Sequence, residues 1–241
     1  MINGWYGHEN TDYFFVANKK MKSYLISKNI SENKIYVTGI PISSRFLQKY
    51  DKKQILNEFD FKDDKKTILF FGGGEFGLGK SKTFEIFEAL VKNFNNIQMI
   101  AISGKNEKMK LKFEKIVEEY DKQNYVKVLE YTNKVPELMS ISDLVISKPG
   151  GLTTSESLAS NLPMIIINPI PGQEEENAEF LEEKNVGIWI RKDDSAIEIL
   201  NDLLSNHEKL ETMKKNAENL SKKHSTEDIC KILLSEIKQE E

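Results

Sequence analysis

Three segments of this 241-residue chain combine residue types that bind phosphate and hydroxyl groups. In the first, an apolar run ending at Phe71 is followed by Gly72, Gly73, Gly74, Glu75, Phe76, Gly77, Leu78, Gly79, Lys80 and Ser81, and then by a helical pattern. Glycines let backbone N–H groups approach a phosphate closely, and the N-terminus of a following helix favours its negative charge. The second segment runs from Ser147 through Lys148, Pro149, Gly150, Gly151, Leu152, Thr153, Thr154 and Ser155 to Glu156. Gly150 and Gly151 expose backbone, while Thr153 and Thr154 place hydroxyls beside the free N–H donors of a first helical turn. Glu156 lies one turn on, where a carboxylate can accept hydrogen bonds from two vicinal hydroxyls. Taken alone, Glu156 reads more readily as an acid of an N-capped helix that complements the dipole. The third segment, from Asn168 to Ala178, is stiffened by Pro169 and Pro171 and offers Gln173 and Glu174 as acceptors for sugar hydroxyls. Glu175 and Glu176 also suit an acidic helix start.

The first loop satisfies two widespread patterns. Gly74 to Ser81 fits the G-x-x-x-x-G-K-[ST] loop of nucleoside triphosphatases, and Gly72, Gly74 and Gly77 fit the G-x-G-x-x-G loop of dinucleotide sites. A triphosphatase needs an acid at a strand end to hold magnesium, yet the strand ends here are Ser103, Leu129, Ser147 and Asn168. A dinucleotide site needs an acid about 20 residues on for the ribose, and Ile97 to Ser103 supplies none. A bare turn explains one or two glycines but not five within eight positions.

These loops need a scaffold that brings strand ends together. Short β-branched and aromatic runs alternate with helical patterns, which predicts βα units around a doubly wound parallel sheet, the α/β class. Strands are expected at Tyr13 to Ala17, Ile35 to Thr38, Thr67 to Phe71, Ile97 to Ser103, Val126 to Leu129, Leu144 to Ser147, Met164 to Asn168 and Gly187 to Ile190. Helices are expected at Asn18 to Lys28, Thr83 to Phe94, Leu111 to Tyr120, Asp193 to Leu204, Glu208 to Leu220 and Thr226 to Ile237. With 39% hydrophobic and 30% charged residues the chain can bury a core, which excludes wholesale disorder. The net charge of −4 is well mixed, without a basic block, so no nucleic-acid role is expected. The single cysteine, Cys230, excludes an internal disulfide and a thiolate-rich metal site, and is expected to face the core. No apolar run reaches the roughly 20 residues of a bilayer span, and no secretory signal opens the chain, so a cytoplasmic location is expected.

The residues also resemble a known family, the GT28-type glycosyltransferases, specifically the diacylglycerol glucosyltransferases and monogalactosyldiacylglycerol synthases. The lipid-II-forming GlcNAc transferase is a more distant relative. The likeness begins with Trp5, His8, Glu9, Asn10 and Asp12, continues through Val37, Thr38, Gly39, Ile40, Pro41, Ile42 and Phe46, and takes in Gly72 to Gly74 and Ser103 to Asn106. It is densest from Ser142 to Asn177. It implies a GT-B architecture, with residues 1–42 as a remnant of the N-terminal acceptor domain, 43–65 a linker and 66–223 a Rossmann-like donor domain. Residues 224–241 would form a C-terminal helix packing back toward the N-terminal part.

The resemblance further implies a UDP-hexose donor, with Gly72, Gly73, Gly74, Gly150, Gly151, Thr153 and Thr154 near the diphosphate and Glu156 on the ribose. Gln173 and Glu174 would meet the hexose, and the uracil would rest near Tyr131 and Thr132. Such enzymes invert the anomeric centre and need no metal or other cofactor. The implied acceptor is a diacylglycerol lipid at the inner face of the cell membrane, reached through an acceptor domain. A UDP-GlcNAc transferase of the lipid-II-forming type, or a non-autonomous UDP-sugar-binding subunit that needs a separate acceptor-domain partner, are the alternatives. Two departures stand out. Many relatives carry Arg where this chain has Ser43, leaving nearby Arg45 as a substitute, and they have a full N-terminal domain where this chain looks truncated. His8 is then a candidate general base for the acceptor hydroxyl, though it reads more readily as a structural histidine beside Trp5.

Overall fold

The computed structural model describes residues 11–73 and 80–237. Six strands form one parallel sheet: β3 (Lys66–Phe71), β4 (Ile97–Ile102), β5 (Val126–Leu129), β6 (Leu144–Ser147), β7 (Met164–Ile166) and β8 (Gly187–Trp189). Ahead of them, β1 (Phe14–Phe15) and β2 (Ile35–Tyr36) pair in parallel as a separate two-stranded sheet. The helices are α1 (Lys19–Ser27), α2 (Lys52–Glu58), α3 (Lys80–Asn93), α4 (Glu107–Glu119), α5 (Val135–Ile141), α6 (Gly151–Ala159), α7 (Gln173–Glu183), α8 (Ala196–Ser205), α9 (His207–Leu220) and α10 (Ser225–Ile237).

The large sheet runs β5-β4-β3-β6-β7-β8. Its central strands are largely apolar and buried because both faces are covered, as parallel sheets require. Alternate residues enter different cores. Ile68 and Phe70 of β3 join α3, α4 and α8 on one face, where Phe87 and Phe113 stack at 4.1 Å and Phe70 meets Phe113 edge-on. Leu69 enters the other core, with Leu138 and Met139 of α5 and Leu181 of α7.

The expected strands and helices are all present, most with ends within three residues. The first two strands are shorter than the sequence predicts, because only two residues of each find a partner. Strand β7 stops at Ile166, two residues early, since Asn168 turns to a left-handed φ of 45°. Segment 43–65, expected as a linker, carries α2 and sends Ile55, Leu56 and Phe61 into the second core. Cys230 was expected to face the core; it is exposed, because α10 packs its sides only partly against the chain. That helix returns to the N-terminal part, where Tyr13 donates to Glu236 Oε2 at 3.0 Å. Among the described residues, no helix is long and apolar enough to cross a membrane.

Candidate functional site

Strand order reverses between β3 and β6: β4 and β5 extend the sheet one way, β7 and β8 the other. In open α/β sheets, the crevice beyond the carboxyl ends of the strands at this reversal is where ligands bind. The two glycine loops follow these two central strands. The register pairs Ile68 with Leu144, Leu69 with Val145 and Phe70 with Ile146. Extended by two and three residues, it brings Gly72 level with Lys148 and Gly73 level with Pro149, about one strand spacing of 4.8 Å apart.

The glycines of the first loop do different work. Gly72 donates to the Ile102 carbonyl at 2.9 Å, and a Cβ there would lie 2.3 Å from Met109 Sδ and 2.9 Å from Phe113 Cε2. Its bare backbone therefore lets α4 close against the strand end. Gly73 has φ +98° with nothing within 4 Å of a Cβ position, so it faces open space in a conformation that favours glycine. Gly74 lies outside the described residues.

The second loop gathers side chains. Gly150 is the N-cap of α6 and supplies no side-chain cap, so the first-turn amides keep their donors. A Cβ on Gly150 would lie 3.9 Å from Glu174 Oε1 and 4.0 Å from Thr153 Oγ1; one on Gly151 would lie 4.0 Å from Gln173 Nε2. Gln173 and Glu174 thus overhang the glycine pair, as the sequence suggests. Glu174 is anchored through Oε2, which accepts from the Ile170 N–H at 2.7 Å. Asn177 Nδ2 donates to the Pro149 carbonyl at 2.8 Å and ties α7 to the loop. Glu175 accepts from the Gly172 N–H at 3.2 Å, an ordinary helix-start role.

Thr153 and Thr154 part company. Thr153 borders Gly150, whereas Thr154 is buried with its hydroxyl unpartnered and turned away from solvent. Glu156 is half-buried, and among the described residues its carboxylate has neither hydrogen-bond partner nor ion pair. Burial pushes its pKa above the ordinary carboxylate value. An acid kept partly dry and unpaired beside a helix N-terminus is suited to accept ligand hydroxyls.

Tyr131 and Thr132 follow the edge strand β5, two strands from β3. Tyr131 is 70% exposed, with Lys105 Nζ 6.0 Å from its ring, and Thr132 Oγ1 accepts from the Lys134 N–H at 3.1 Å. The ladders continue one residue past the strands, with the Ser103 N–H donating to the Leu129 carbonyl and the Gly72 N–H to the Ile102 carbonyl, each at 2.9 Å, so Tyr131 and Gly73 both follow the carboxyl end of the sheet.

Arg45 is not free to replace the residue absent at Ser43. Its guanidinium makes two bonds to Glu137, of 2.9 and 3.1 Å, while Ser43 accepts from the Arg45 N–H at 3.3 Å. His8 lies outside the described residues. A cleft of about 630 Å³ opens between Asn18, Ile40 and Ile42 on one side and Gly151, Leu158 and Phe180 on the other. Ile40 reaches within 3.2 Å of a Cβ on Gly151, a contact no local pattern announces. Among the described residues, no group of three or more His, Cys, Asp or Glu is placed to hold a metal ion.

Known proteins share the sequence and the fold of this chain. Residues 67–231 match the family model described as the glycosyltransferase family 28 C-terminal domain, and residues 1–42 match that of monogalactosyldiacylglycerol (MGDG) synthase. The processive diacylglycerol beta-glucosyltransferase of Bacillus pumilus is 33% identical over 95% of this chain and 58% of its own length. That of Staphylococcus epidermidis is 37% identical over 92% of this chain and 55% of its own. The chain therefore spans little more than half the length of these relatives. Among solved structures, UDP-GlcNAc 2-epimerase from Neisseria meningitidis bound to UDP-GlcNAc superposes with a TM-score of 0.70 at 19% identity, covering 93% of this chain and 61% of that one. That likeness concerns the fold.

Proposed function

The chain belongs to glycosyltransferase family 28, and from that premise we propose that it binds a UDP-hexose and serves its transfer to diacylglycerol or a glycosyl-diacylglycerol. The observation that carries the proposal is the junction of β3 and β6, where two glycine-containing strand ends lie side by side and α6, which follows the second, bears the Glu156 carboxylate, unpaired among the described residues. In this reading the diphosphate lies between the Gly73 backbone and the first turn of α6. Gly74 continues the first loop, and Thr153, Gly150 and Gly151 border the second. Glu156 accepts from the ribose hydroxyls, Gln173 and Glu174 orient the hexose, and the uracil lies by Tyr131 and Thr132.

Transfer forms a bond from the acceptor hydroxyl oxygen to the anomeric carbon and breaks that carbon's bond to the β-phosphate oxygen, with inversion. The electron pair leaves with UDP, whose charge the amides and the α6 N-terminus stabilise without a metal. The hydroxyl proton passes to a base, for which His8 is the candidate. The lipid acceptor implies work at a membrane surface, and the relatives named above act on diacylglycerol by their names. Calorimetric titration of the 241-residue chain with UDP and UDP-glucose, followed by mass spectrometry of products on diacylglycerol vesicles, tests this. Saturable UDP binding and a glycolipid product are expected; absence of UDP binding overturns the donor site.

A further inference from the structure

Resting on that donor-site reading, we propose that Lys148 is the cationic side chain that contacts the nucleotide's diphosphate. The argument starts from how other lysines are handled here. Lys82, Lys110 and Lys214 are partly enclosed, and each has a carboxylate: Glu85 at 2.9 Å, Glu130 at 2.6 Å and Asp143 at 2.9 Å. Lys148 is half-buried between the buried residues Ser147 and Pro149, yet among the described residues it has no carboxylate or hydrogen-bond partner. What distinguishes Lys148 is its place: a lysine without a counterion at the carboxyl end of a central strand is available to an anionic ligand bound there.

Its position selects which anion. Lys148 immediately follows β6 at the reversal point and lies level with Gly72 in the extended register. Along β6, Val145 enters the core under α5 while Ile146 enters the core under α3. Continued one residue past the end of β6, alternation puts Lys148 on the face of Ile146, which α3 covers. In this reading the ammonium approaches the diphosphate from the α3 side, while Thr153 and the α6 amides approach from the other. A lysine acts on phosphate as a point charge, without the paired geometry of arginine. Neutralising the diphosphate would also favour departure of UDP.

The experiment titrates UDP and uridine into the 241-residue chain and its Lys148→Gln, Lys148→Arg and Glu156→Ala variants at low and high salt. Lys148→Gln should weaken UDP by about tenfold or more, flatten the salt dependence and leave uridine unchanged. Lys148→Arg should retain most of the UDP affinity. Unaltered uridine binding also certifies that the variant is folded. Wild-type affinity for UDP in Lys148→Gln, or equal losses for UDP and uridine, overturns the role of Lys148. A wild-type chain without UDP affinity, or one indifferent to Glu156→Ala, instead removes the donor site and this inference with it.

Discussion

After β3 the two described residues are bare backbone: Gly73 stands at φ +98° with nothing near its Cβ position, and its neighbour Gly72 is spent on packing against Met109 and Phe113. After β6 the surface is made of side chains, with Thr153, Gln173 and Glu174 gathered over Gly150 and Gly151 and Glu156 one turn further on. The second loop is also braced from outside, by Asn177 on the Pro149 carbonyl and by Ile170 on Glu174. In the proposed site, one loop would offer donors that any phosphate could use, and the other acceptors and hydroxyls that discriminate. Selectivity for a nucleotide sugar is therefore expected to reside mostly beyond β6, and tolerance of packing changes to be poorest beyond β3.

Substitutions on the two sides should separate binding from stability. The largest binding effect is expected for Glu156→Ala, which removes the carboxylate proposed to hold the ribose. UDP affinity should fall by about 1.5–3 kcal/mol, roughly 10- to 100-fold, measured by calorimetry, with little change in melting. Gly72→Ala should behave in the opposite way. Met109 can swing aside, but the fully buried ring of Phe113 cannot, so overpacking should cost about 2 kcal/mol. That corresponds to roughly 4–8 °C in the melting midpoint of a chain this size, with UDP affinity at low temperature nearly unchanged. If Gly72→Ala instead abolished binding without loss of stability, the division between the loops would fail.

The smallest effect concerns pH. Burial raises the Glu156 pKa in the folded chain above its unfolded value. The stability linked to its proton is therefore fully present below the unfolded value and lost as pH rises through the folded one. At pH 7 the ionised carboxylate is a small burden, so Glu156→Gln should melt slightly higher than the parent without ligand. The difference should shrink as pH is lowered toward the carboxylate range. A constant difference across that range would show that Glu156 is not the titrating group.

Much of this was legible along the chain because the signals are local. Strands β5 and β6 appear with the expected ends, since each is a short apolar run bounded by polar residues. The glycine-rich junctions after β3 and β6 are local features too, as are the two prolines ahead of Gln173 and Glu174. What escaped was non-local. Arg45 could be judged available from sequence because Glu137, its partner, lies 92 residues away. Thr153 and Thr154 look equivalent in sequence, but helical rotation turns one to the site and buries the other. Residues 43–65 look polar enough for a linker, yet three apolar side chains among them reach the core. Gly72 reads as a phosphate ligand until the positions of Met109 and Phe113 are known.

A crystal structure of the chain with UDP addresses the shared cradle most directly. The diphosphate should lie between the Gly73 backbone and the first turn of α6, with both ribose hydroxyls within hydrogen-bond reach of Glu156. A nucleotide held by one loop alone, or seated away from the junction of β3 and β6, would contradict the account.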